Sequence, residues 1–185
     1  MILNYSKRLL FLSECVRIIA TIFVLNNLNI PIFFKIVLIM LFDKLDCSHL
    51  SFPFTGPLFS KNTNICKTLF YQKSDKITDT ICYTSLLLYI LNNGGMTTKY
   101  NYFIVILFIF RLVGTHLFLI NNNRKFLFYF PNFFLEICLG LMFINYFPIV
   151  KKFKKTILFM IIIYKFMLEY YLHIYKNPKI NPNYE

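Results

Sequence analysis

Acidic residues are scarce in this chain: eight against 20 Lys and Arg, with only four aspartates among 185 residues. Tryptophan is absent, and the five glycines form no Gly-rich loop able to cradle a phosphate. Charged residues of both signs make up only 15%, where a soluble domain carries about a quarter. A water-soluble fold of this size needs more polar surface than that, so lipid must cover the excess apolar surface. The five cysteines, at 15, 47, 66, 82 and 138, are odd in number and several lie in apolar runs, which argues against a disulfide framework. A cleaved secretory leader is not expected either. Lys7 and Arg8 resemble its basic start, but Glu14 and Arg17 interrupt the apolar run and no small-residue cleavage site follows. Internal repeats and a Ser-His-Asp set are also missing.

What is present is apolar and aromatic. Hydrophobic residues reach 57%, with 23 Phe and 13 Tyr, and the mean hydropathy is +0.57. A membrane-crossing helix needs roughly 20 mostly apolar residues. Six candidate segments can be read: Cys15 to Leu28, Pro31 to Asp46, Asp75 to Leu91, Tyr102 to Ile120, Phe126 or Pro131 to Phe147, and Thr156 to Tyr175. Asn92-Asn93-Gly94-Gly95 and Asn121-Asn122-Asn123 are strong helix stops. The expected fold is all-α, a polytopic transmembrane bundle of about six helices in one membrane domain, 1–185. Residues 1–14 are an N-terminal cytosolic segment, 47–74 a polar cytosolic loop between the second and third helices, and 176–185 a tail.

The formal net charge is +12. In so hydrophobic a chain this points to anionic lipid headgroups and not to nucleic acid, because the basic residues are not interleaved with aromatics as a binding stripe. Lys and Arg in short loops set orientation. A cytosolic N-terminus places Lys7, Arg8, Lys44, Lys61, Lys67, Lys73, Lys76, Arg124, Lys125, Lys176 and Lys179 inside. Lys99, Lys151, Lys152, Lys154 and Lys155 then lie outside, so the count favours cytosolic termini, with the 151–155 cluster as the misfit.

All four aspartates flank one loop. Asp43 and Asp46 end the second predicted helix; Asp75 and Asp79 begin the third. An i,i+3 pair and an i,i+4 pair each project from one helix face. One loop joins the two helices, so both pairs sit at the same membrane face. Four carboxylates near lipid repel one another and need a cation. Oxygen-only ligands suit Mg²⁺, Mn²⁺ or Ca²⁺, and such ions commonly join carboxylates to substrate phosphates. The plainer alternative is that Asp75 starts a helix after a cap-like Ser74, and that Asp43 and Asp46 mark the water boundary.

Asp43-x-x-Asp46 and Asp75-x-x-x-Asp79, together with Arg17 in Cys15-Val16-Arg17-Ile18-Ile19-Ala20, resemble the pattern of the CDP-alcohol phosphatidyltransferase family. The resemblance covers most of the chain in topology and about forty residues in motif. Cys47, Leu50, Ser51 and Tyr71 stand where that family has Gly, Ala, Arg and Gly, so the nucleotide end of the pattern is altered. The resemblance implies Mg²⁺ or Mn²⁺ held by Asp43, Asp46, Asp75 and Asp79, with Asp79 also the general base. It implies a CDP-diacylglycerol-type lipid and an alcohol acceptor as substrates, release of CMP, and a homodimer. Arg124 and Lys125, at the same predicted face, are candidates for binding a phosphorylated acceptor. The rival reading is a non-catalytic membrane protein, structural or a degenerate relative. A transporter is a third, which would place polar residues at mid-membrane.

Other signals are weaker. Cys47, His49 and Cys66 offer zinc-type ligands at irregular spacing without a fourth. Arg111 and His116 are expected to pair with Glu136 or to snorkel, Lys165 and Glu169 to neutralise each other, and Lys35 to snorkel.

Overall fold

A computed structural model describes residues 2–45, 68–93 and 98–175. The elements they form are all helical, with no strand among the described residues. The longer helices are α1 (Ile2–Asn27), α2 (Ile32–Leu45), α3 (Leu69–Asn92), α4 (Thr98–Asn121), α6 (Phe133–Tyr146) and α7 (Lys154–Tyr170). A short helix, α5 (Lys125–Tyr129), precedes α6; a 3₁₀ turn (Pro148–Phe153) leads into α7, and a π-helical turn (Tyr171–Tyr175) closes it. Among the described residues, three stretches are long and apolar enough to cross a membrane: Lys99–Asn121, Lys125–Tyr146 and Pro148–Tyr175.

Several boundaries differ from the sequence reading. The segment expected to precede the first helix is helical from Ile2. The third helix begins at Leu69, inside the expected polar loop, because the Thr68 hydroxyl accepts the Tyr71 N–H at 3.2 Å and so caps it. Ser74 is therefore not the cap, and Asp75 lies more than a turn inside the helix. The rest of that loop, with Asp46, Cys47, His49 and Cys66, lies outside the described residues, as does the 176–185 tail. The fifth apolar run is broken at Phe130-Pro131-Asn132 between α5 and α6. Proline lacks the N–H that would continue the ladder. The α4 stop falls where expected: Asn122 adopts φ 57°, and its N–H reaches the Phe118 carbonyl at 2.9 Å. Asn tolerates that left-handed conformation better than other residues with a Cβ.

The chain groups into two compact units. The first draws on Met1–Leu28 and Leu38–Cys82, and the second on Asn29–Val37 and Tyr83–Asn177. In the first, α1 buries a polar stripe, Glu14, Arg17 and Thr21, while Phe11, Leu12, Val16, Ile19, Ile22 and Phe23 are exposed. That is the reverse of a helix in water and is the arrangement expected where lipid is the solvent.

In the second unit the apolar interior centres on Phe134, whose ring lies 5.4 Å from Phe108 and 6.1 Å from Tyr83. Phe118, Leu127, Ile137, Cys138, Leu141 and Ile144 complete it. Gly114 lets α4 approach Phe130, and Gly140 lets α6 approach Ile161.

Candidate functional site in the first unit

α1, the end of α2 and the start of α3 bring three of the four aspartates to one arginine. The spacing Glu14, Arg17, Thr21 turns Arg17 to the interior, and the i,i+4 spacing turns Asp75 and Asp79 to one face of α3. The Arg17 guanidinium lies 3.2 Å from Asp75 Oδ1 and 3.6 Å from Asp43 Oδ1, and it hydrogen-bonds Asp79 Oδ1. The Lys76 ammonium closes the other side, 2.6 Å from both Asp75 Oδ2 and Asp79 Oδ2.

Burial grades across the cluster. The Asp43 side chain is 33% exposed, Asp75 17% and Asp79 7%. The cluster is therefore more open at Asp43 and closed at Asp79. Below Asp79, Thr21 Oγ1 lies 3.5 Å from the buried Cys82 thiol.

Three carboxylates thus face two cations, and Asp43 and Asp79 share the Arg17 guanidinium. Adjacent ionised carboxylates need a proton or a further cation between them. The donor set is all oxygen, which suits Mg²⁺ or Mn²⁺ over zinc. Among the described residues no three acidic, histidine or cysteine side chains converge closely enough to ligate one ion as they stand. The position between Asp75 and Asp79 is taken by the Lys76 ammonium.

Sequence reasoning anticipated the aspartates, and the resemblance brought in Arg17. It passed over Lys76, although Asp75-Lys76 and the i,i+3 pair Lys76–Asp79 were available as a signal.

A second polar group lies within the second unit. Lys165 Nζ is 2.6 Å from Glu136 Oε1 and 3.3 Å from Glu169 Oε1. Glu169 Oε2 is 2.8 Å from His173 Nε2, and His173 Nδ1 is 3.3 Å from Arg124. The Asn132 N–H donates to Glu169 Oε1 at 3.3 Å. Lys165 and Glu169 do pair, but Glu136 is the closer partner of the lysine.

Arg111 does not pair with Glu136. It donates to the Phe130 carbonyl at 2.9 Å and the Leu127 carbonyl at 3.3 Å, capping the end of α5 that Pro131 leaves open. His116 is exposed, and Lys35 is buried with its ammonium 2.8 Å from the Tyr89 hydroxyl. Arg124 is thus directed at His173, while the exposed Lys125 donates its backbone N–H to Asn123.

The chain matches no protein-family model, no curated protein and no solved structure.

Proposed function

We propose that the chain is a polytopic membrane enzyme that transfers a phosphatidyl group from a CDP-linked lipid to an alcohol, releasing CMP. Its six segments would cross the membrane with the aspartate face in the cytosol. The observation that supports this most is the convergence of Asp43 from α2 and of Asp75 and Asp79 from α3 on Arg17 of α1.

Asp43, Asp75 and Asp79, with Asp46 from outside the described residues, would hold Mg²⁺ or Mn²⁺. That ion would neutralise the pyrophosphate and polarise the phosphorus under attack. Asp79, the most buried of the three, would accept the proton of the acceptor hydroxyl as that oxygen bonds to the phosphatidyl phosphorus and the bond to CMP breaks. Arg17 holds Asp79 and Asp75 in register for that role. Lys76 would leave the carboxylates for the phosphate oxygens. The grade from a more open Asp43 to a closed Asp79 suits a headgroup entering from the Asp43 side.

A second reading, a non-catalytic relative that retains the fold, is favoured by one specific observation: Arg17 and Lys76 already supply counter-charge to the carboxylates. The deciding experiment measures CMP release from CDP-diacylglycerol by purified protein in detergent. It uses a panel of alcohols, Mg²⁺ or Mn²⁺, and an Asp79→Asn control. Acceptor-dependent release that is lost with chelator and in the variant supports the enzyme. No release with any alcohol, from folded protein, supports the non-catalytic reading.

A further inference from the structure

The segment that joins α6 to α7 has no part in that reaction. Lys151, Lys152, Lys154 and Lys155 fall within five consecutive positions, in the 3₁₀ turn and the first turn of α7. No acidic residue stands in the first turn of either element, and among the described residues no ion pair engages these lysines. The Lys154 ammonium sits over the Tyr100 ring of α4, 3.8 Å from its centroid. Lys151, Lys152 and Lys155 are exposed. Beside them Ile149 is 85% exposed and Phe153 is 53% exposed.

This segment lies where two of the three membrane-length stretches meet, Lys125–Tyr146 and Pro148–Tyr175, and so at a membrane boundary. Apolar side chains exposed at that level belong among acyl chains, and lysines beside them belong among headgroups. The cluster also opposes the dipole of the helix it precedes, so a nearby anion relieves it. We propose that this basic turn binds anionic phospholipid headgroups: Lys151, Lys152 and Lys155 engage the phosphate while Ile149 and Phe153 enter the acyl region. The inference rests on the membrane reading and is independent of the transfer activity.

The absence of native Trp allows a direct test. An I149W variant of the full chain carries a single tryptophan at the site, excited selectively over the 13 tyrosines at the red edge of its absorption. It is reconstituted in bilayers containing brominated phosphatidylserine or brominated phosphatidylcholine. The expected result is quenching that favours the anionic lipid by about tenfold or more, the scale of several lysines at a charged surface. Lys151→Gln/Lys152→Gln/Lys155→Gln in the same background is expected to remove the preference, and the corresponding triple Arg variant to keep it. Equal quenching by the two lipids, or a preference that survives the Gln changes, overturns the proposal. Relief of quenching by millimolar inorganic phosphate also overturns it, because the site would then be one for free phosphate.

Discussion

The Lys76 ammonium lies 2.6 Å from Asp79 Oδ2, one turn away on the same helix, and equally close to Asp75 Oδ2. A divalent ion entering this site competes with a cation built into α3. Lys76→Gln is therefore expected to raise Mn²⁺ affinity by about tenfold, since a unit charge at contact distance near a protein surface is worth a few kcal/mol at most. Titration of the purified protein followed by Mn²⁺ electron paramagnetic resonance reads this directly. Unchanged or weaker binding would refute the competition.

Arg17 serves three carboxylates, so removing it should be costly. Arg17→Leu leaves Asp79 and Asp75 partly or wholly desolvated beside like charge. Breaking a buried pair from one side typically costs about 3–5 kcal/mol. The expected outcome is a large fall in the midpoint of thermal unfolding in detergent, partly restored by millimolar Mg²⁺. A variant that melts like the parent would show that the guanidinium carries little of this charge.

The Lys165 cluster makes a parallel prediction in the second unit. Lys165→Met strands Glu136, leaves Glu169 with only His173 and the Asn132 N–H, and is expected to destabilise by about 3–5 kcal/mol. Adding Glu136→Leu removes one stranded carboxylate, so the double variant should be less damaged than the sum of the two single changes. Additive losses would mean that the 2.6 Å contact is energetically silent.

Two glycines should respond differently to the same methyl. A Cβ at Gly114 meets the Phe130 Cβ, close to backbone, and lies 3.3 Å from the Phe126 carbonyl. A Cβ at Gly140 meets only the far ends of the Ile161 and Leu158 side chains, which can rotate away. Overpacking costs about 1–3 kcal/mol where nothing yields. Gly114→Ala should therefore lower the unfolding midpoint clearly and Gly140→Ala little. The reverse order would contradict this packing.

Helix existence was largely legible in the sequence, because long apolar runs and Asn-rich stops are local signals. Asn121 to Asn123 ends α4 for a reason visible in the residues themselves. The start of α3 was not legible. Lys73, Asp75, Lys76 and Asp79 depress the local hydropathy, yet Lys76 pairs with both aspartates within the folded chain and the helix extends back to Thr68. The convergence of Asp43, Asp75 and Asp79 could be anticipated from spacing at two helix ends. The partner of Arg111 could not: it depends on the carbonyls left open by the break before Pro131, and only the three-dimensional course of α5 shows where they point.

The stripe Lys165, Glu169 and His173 also bears on how the chain is made. A lysine near the centre of a membrane helix raises the cost of its insertion by about 2.5–3.5 kcal/mol. Glu169 of α7 itself relieves part of that cost, but the closer partner, Glu136, belongs to α6. On the membrane reading proposed above, α7 is expected to insert together with α6 as a hairpin. A nascent chain cut between Tyr146 and Lys154, with the two pieces synthesised separately, should leave the second piece poorly inserted until the first is present.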